Sequence, residues 1–139
     1  MPTILLVEDE ANQRLLYQME LEDEGYHVVS ASNGREALQE AQRARPDLVV
    51  LDLRMPQMDG LEALERMMSL NPKLPIIIHS AYETFKDNFM TWAADAYVVK
   101  SSNLDILKAE IRRVPSGLSD EGREPLWDSS RYQAASSSS

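Results

Sequence analysis

Short apolar runs alternate with amphipathic stretches along most of this chain. Ile4-Leu5-Leu6-Val7 is an apolar run that ends abruptly on Glu8-Asp9. The next segment places Ala11, Leu15, Leu16 and Met19 at helical spacing, which predicts an amphipathic helix with these residues as its apolar face. Gly25 stops that helix. Val28-Val29 is a second short run, closed by the turn pair Asn33-Gly34. Ala37, Leu38, Ala41 and Ala44 again have helical spacing, and Pro46 punctuates the end. Leu48-Val49-Val50-Leu51 is the third run, and it too ends on an acid, Asp52.

Beyond a loop with Pro56 and Gly60, the residues Leu61, Leu64 and Met67 give another helical face, broken by Asn71-Pro72. Asp59 and Gly60 read as the start of that helix and the fix of its turn. Ile76-Ile77-Ile78 is the fourth run and leads into His79-Ser80. A less clearly patterned stretch, about 84–93, reads as a fourth helix. Tyr97-Val98-Val99 is the fifth run and ends at Lys100. Ser102 and Asp105 resemble a capping pair for a fifth helix, whose apolar face is Leu104, Leu107, Ile111 and Val114.

Strands and helices in strict alternation, with strands that are continuously apolar, predict a parallel sheet covered by helices on both faces. The fold class is therefore α/β, one domain over residues 1–114. From Pro115 to Ser139 the composition turns to glycine, proline, charge and a closing serine run, which reads as a flexible tail or linker. Leu126, Trp127 and Tyr132 are its sizeable apolar residues, read as a loose contact with the domain.

Composition narrows the function classes. The net charge of −9 disfavours nucleic acid and anionic lipid as direct partners. No cysteine is present, so disulfides, thiolate metal sites and cysteine nucleophiles are excluded. The N-terminal residues show neither a signal peptide nor a transmembrane run, and we read a cytoplasmic protein.

The chemistry-bearing residues sit where the apolar runs stop: Glu8 and Asp9, Asp52, Ser80 and Lys100. In an open parallel sheet these ends share one edge, where ligands bind. Three carboxylates there repel one another and call for a cation. Hard oxygen ligands suit Mg²⁺ or Mn²⁺, with Lys100 as a second positive charge.

The pieces Ile4 to Glu10, Pro46 to Gly60, His79-Ser80-Ala81 and Asp95 to Lys100, in this order and spacing, resemble the receiver (response regulator) domain of two-component signalling, over residues 1 to about 114. The resemblance implies a flavodoxin-like, doubly wound five-stranded parallel sheet of order 2-1-3-4-5 with five helices. It implies that Asp52 is the phosphoacceptor, that Glu8, Asp9, Asp52 and the Arg54 backbone carbonyl hold the metal, and that Lys100 pairs with the phosphoryl group. Ser80 corresponds to the switch hydroxyl and Tyr97 to the switch aromatic. The implied partners are a sensor histidine kinase or histidine phosphotransfer protein and a downstream protein or output domain. The implied assembly is a monomer, or a weak dimer through the fourth helix, fifth strand and fifth helix. Enzymatic activity is expected only toward the domain's own phosphorylation and dephosphorylation.

Three positions depart from or modulate this pattern. Ser101 stands where the family places a proline after the lysine, and a cis bond before a non-proline costs roughly 2.5–4 kcal/mol. Arg54 and Tyr82 are bulky at the two positions that flank the approach of water, which implies slow autodephosphorylation. Two other readings compete. A phosphatase of the haloacid dehalogenase type needs a second acid where Arg54 stands. A receiver-like interaction module that is never phosphorylated does not need the full set Glu8, Asp9, Asp52, Ser80 and Lys100. His27 and His79 read as structural or surface residues, with His79 near enough to the site to modulate it.

Overall fold

The computed structural model describes residues 2–53, 60–81, 94–101 and 103–114. Five strands form one parallel sheet: β1 (Thr3–Val7), β2 (His27–Ala31), β3 (Leu48–Leu51), β4 (Ile76–Ser80) and β5 (Ala96–Val99), in the order β2-β1-β3-β4-β5. This is the flavodoxin-like order. Four helices lie among the described residues: α1 (Ala11–Asp23), α2 (Gly34–Ala44), α3 (Gly60–Leu70) and α4 (Asp105–Arg113). The helix expected over 84–93 falls outside them.

The strand sequences explain the layering. Strands β3 and β4 are buried at every position, because helices cover both faces of a central parallel strand. β2, at the sheet edge, buries Val28 and Ala31 and leaves His27 and Ser30 exposed. Two apolar clusters result, one on each face. Leu5, Val7, Val49, Leu51, Ile76 and Ile78 point to one side with Leu64 and Met67 of α3. Ile4, Leu6, Val50, Ile77 and Val98 point to the other, against Tyr17 and Leu21 of α1 and Leu107 and Ile111 of α4. Residues one apart along a strand thus feed opposite layers.

Helix termini follow local chemistry. The Glu10 side chain caps α1, accepting from the Asn12 and Gln13 N–H groups at 3.1 and 2.9 Å. Gly25, at φ 100°, ends α1 in a left-handed turn, with Gly25 N–H bonded to Glu22 O and Tyr26 N–H to Leu21 O. α4 begins differently from the expected Ser102–Asp105 pair. Its N-cap is Leu104, and the Asn103 side-chain oxygen accepts from Asp105 N–H at 2.8 Å. Ser102 lies outside the described residues.

One expectation about packing is reversed. Leu15, Leu16 and Met19 are 58, 50 and 55% exposed, and Ala11 is exposed as well. The face of α1 that meets the sheet carries Tyr17 and Leu21, with Gln13 half-buried one turn before Tyr17. Both faces have helical spacing. The inward one is chosen by Tyr17 and Leu21 packing against Ile4, Leu6 and Val28, which leaves the more aliphatic stripe outside.

Candidate functional site

Glu8, Asp52 and Lys100 each stand just past the end of a strand and are still held by one more backbone rung. Glu8 N–H bonds to Ala31 O at 3.0 Å, Asp52 N–H to Val7 O at 3.1 Å, and Lys100 N–H to Ser80 O at 2.8 Å. These rungs fix where the side chains leave the sheet. Arg14 adds a further tie, donating from Nη1 to the Glu8 carbonyl at 2.8 Å.

The side chains converge. Lys100 Nζ lies 2.5 Å from Glu8 Oε1 and 2.9 Å from Asp52 Oδ2. Carboxylate oxygens of Glu8, Asp9 and Asp52 all fall within 4.8 Å of one another. Three hard, anionic oxygen donors at that spacing fit a divalent cation of the magnesium kind. Glu8 and Asp52 are buried while Asp9 is exposed, so the cluster opens to solvent on the Asp9 side.

Electrostatics at this edge are finely opposed. Burial raises the Glu8 pKa above the ordinary carboxylate value. The hydrogen bond and charge of Lys100 pull the other way without cancelling it, and Asp52 adds repulsion. Burial pulls the Lys100 ammonium down, but the hydrogen bonds and charges of Glu8 and Asp52 outweigh it and hold its pKa above an ordinary lysine's. A net upward shift on both members of an ion pair is consistent, because Glu8 is only 2% exposed and its desolvation exceeds what one shared ammonium returns.

Ser80 is fully buried at the end of β4. Tyr97 is buried in β5 among the cluster that holds Ile78 and Ala94. The Lys100–Ser101 peptide is trans, and Lys100 still reaches both carboxylates. The Ser101 hydroxyl bonds to the Asn103 carbonyl at 2.7 Å and so shapes the turn into α4. Arg54 and Tyr82 lie outside the described residues.

Two residues at the site were not assigned chemistry from the sequence. Gln13 Oε1 accepts from Lys100 Nζ at 2.9 Å. Tyr17 has its ring centroid 5.8 Å from the same ammonium and 5.1 Å from the His79 ring. A signal for both existed in the i, i+4 spacing behind Glu8-Asp9, but the apolar stripe of α1 masked it.

His79 is buried beside this group, and its Nε2 has no hydrogen-bond partner among the described residues. Burial, reinforced by the charge on Lys100, lowers its pKa from 6.5 to about 3. The unfolded chain therefore takes up a proton near pH 6.5 that the folded chain refuses until near pH 3. Stability present above pH 6.5 is lost as pH falls through that window. Between pH 6.5 and 5 the loss is about 2 kcal/mol at roughly 1.36 kcal/mol per pH unit. His79→Leu, which cannot titrate, is expected to be less acid-sensitive by that amount. Urea midpoints at pH 7 and pH 5 check this, and equal acid sensitivity of the two proteins would contradict it.

With this geometry in place, the relatives take on meaning. The family model for the response regulator receiver domain matches residues 4–112, and the chain belongs to that family. It is 34% identical over 128 residues to a probable transcriptional regulatory protein, TcrX, of Mycobacterium tuberculosis, covering 88% of this chain and 55% of that one. The chain thus spans about half the length of that regulator. Among solved structures, the response regulator TrrA of Thermotoga maritima, in complex with Mg²⁺-BeF, is 41% identical with a TM-score of 0.80. The match covers 82% of this chain and 99% of TrrA. TrrA in complex with the histidine kinase ThkA matches with a TM-score of 0.77, at the same identity, over 82% of this chain and 98% of the other.

Proposed function

We propose that this chain is a phosphorylation-dependent signalling switch whose phosphoacceptor is Asp52. The observation that carries this is the convergence of Glu8 and Asp9, Asp52, and Lys100 at one sheet edge, from the ends of β1, β3 and β5. An Asp52 oxygen attacks the phosphorus of a phosphohistidine. The P–N bond breaks, its electron pair stays on the donor imidazole, and an acyl phosphate remains on Asp52. Glu8, Asp9 and Asp52, with the Arg54 carbonyl, would hold Mg²⁺ or Mn²⁺, which when bound neutralises charge on the transferring oxygens. Lys100 pairs with the phosphoryl oxygens, and the work is mainly positioning and electrostatics. The new oxygens draw the Ser80 hydroxyl, Tyr97 follows, and the surface around β5 and the last helix repacks for a downstream partner or output domain. No helix among the described residues is long and apolar enough to cross a membrane, and we place the chain in the cytoplasm.

Incubation with a small acyl phosphate and Mg²⁺ is expected to add one phosphoryl group to the wild type and none to Asp52→Ala, read by intact mass. No gain on the wild type, or an equal gain on Asp52→Ala, would overturn the reading. In the same assay, after removal of the donor, small residues at positions 54 and 82 are expected to shorten the half-life of the phosphoryl group. An unchanged or longer half-life counts against Arg54 and Tyr82 as barriers to water.

The exposed stripe of α1 suggests where the donor docks. Leu15, Leu16 and Met19 form an apolar face on the helix that begins directly behind Glu8-Asp9. A partner seated there carries its phosphohistidine over Asp52, and the kinase complex of TrrA supports a histidine kinase as that partner. Leu16→Asp combined with Met19→Asp is expected to slow phosphoryl transfer from the kinase by about tenfold or more, since two apolar anchors that the partner would cover are lost. Phosphorylation by the small acyl phosphate should be unaffected. Loss of both reactions, or of neither, rejects α1 as the docking face.

A further inference from the structure

Lys100 has three ammonium protons and three acceptors: Glu8 Oε1 at 2.5 Å, Asp52 Oδ2 at 2.9 Å and Gln13 Oε1 at 2.9 Å. Two of these acceptors are anionic and belong to the carboxylate cluster that fits a divalent cation. Gln13 is the neutral one. Its place is fixed from both ends. The Gln13 N–H is held by the Glu10 cap at 2.9 Å, and one turn later Tyr17 lies below the ammonium, its centroid 5.8 Å away. Residues 13 and 17 share a helix face, so α1 brings a hydrogen-bond acceptor and an aromatic ring to the same charge.

A divalent cation bound by Glu8, Asp9 and Asp52 competes with Lys100 for the electron density of those carboxylates and repels the ammonium directly. Both effects loosen Lys100 at the moment when it has to meet the phosphoryl oxygens. A neutral amide oxygen is a poor competitor for the cation against three carboxylates, so it stays with the lysine. We propose that Gln13 is a positioning residue that retains Lys100 over Asp52 when a metal draws on Glu8 and Asp52. This rests on the phosphoacceptor reading above, and it deepens that reading by adding a residue of α1 to the machinery.

Gln13→Met tests it. Methionine keeps the length and the helix propensity of glutamine and removes the strong acceptor. The full chain is used, as wild type, Gln13→Met, Lys100→Met and the double variant. The Mg²⁺ dissociation constant of each is measured by calorimetry with the metal alone. Gln13→Met is expected to weaken Mg²⁺ binding about threefold, the scale of one modest hydrogen bond, because the metal-bound state then leaves Lys100 without its neutral partner. In the Lys100→Met background the same substitution should change nothing, since no ammonium remains to hold. The rate of phosphorylation by a small acyl phosphate at saturating Mg²⁺ is expected to fall about tenfold in Gln13→Met, the scale of a lost charge-assisted bond.

An unchanged Mg²⁺ affinity and rate in Gln13→Met overturns the proposal. So does an effect that persists in full beside Lys100→Met, or a drop in melting temperature with both readouts intact, which marks a purely structural role. If the wild type itself gains no phosphoryl group, the phosphoacceptor reading has failed, and the metal titrations still judge the contact between Gln13 and Lys100 separately.

Discussion

Lys100→Met is expected to destabilise the metal-free protein by about 3–5 kcal/mol at pH 7, the cost of removing one partner of a buried charge pair. The ammonium neutralises Glu8 at 2.5 Å and Asp52 at 2.9 Å, and its own side chain is 13% exposed. Without it, Glu8 and Asp52, both buried beside Asp9, lose the ammonium they share. The pH dependence has a definite sign. The raised Lys100 pKa contributes stability that is complete below the unfolded value of 10.5 and is lost as pH rises through the folded value. At pH 7 the whole contribution is present in the wild type and missing in the variant. Glu8, already pushed above 4.5, moves further up in the variant, so acidification that protonates it should narrow the gap. Millimolar Mg²⁺ should narrow it too, because a divalent cation replaces the missing charge. The variant should bind Mg²⁺ more tightly and yet be phosphorylated more slowly. Urea unfolding with and without Mg²⁺ reads the stability. A variant as stable as the wild type without metal, or a Mg²⁺ increment equal in both proteins, would refute this account.

Gly60→Ala is the second large effect expected. A Cβ at Gly60 would fall inside the Leu53 backbone, against its Cα, carbonyl carbon and oxygen, nearer than side-chain carbons come. The close approach is held by the Gly60 N–H donating to Leu53 O at 2.8 Å, at the first residue of α3. Backbone cannot yield as a flexible side chain does, and Leu53 is itself buried, so a cost of about 3 kcal/mol or more is expected. Leu53 directly follows Asp52. Pushing it aside displaces the carboxylate, and a misplacement of about 1 Å can cost on the order of a hundredfold in rate. Phosphorylation of the folded fraction should therefore fall about a hundredfold, beyond what lost stability explains. Rates normalised to the folded fraction by circular dichroism check this. An alanine variant with wild-type stability and rate would show that the β3–α3 connection absorbs the methyl group.

Much of this molecule was legible in the chain. Continuous apolar runs separated by helical stretches dictate a parallel sheet covered on both faces, because only burial on both sides tolerates strands such as Leu48–Leu51 and Ile76–Ile78. The acids and the lysine at the run ends then share an edge by topology alone. The last helix also followed its pattern, with Leu107, Ile111 and Val114 buried.

α1 is where periodicity was insufficient. A helical repeat specifies that a face exists, and it does not say which neighbour that face meets. Ala11, Leu15, Leu16 and Met19 make one stripe, and Gln13, Tyr17 and Leu21 make another. Contact with Ile4, Leu6 and Val28 selected the second, although it carries an amide and a phenol. The same selection brought Gln13 and Tyr17 to Lys100, residues 87 positions apart in the case of Gln13. Short-range spacing holds no information about such a contact, since it depends on the register of β5 against β4 and of β1 against β3. The sequence thus determined the sheet and which charged side chains stand at its edge. The tertiary structure alone decided which face of α1 looks inward, that His79 is buried uncharged, and that the lysine at the centre of the site has a third, neutral partner.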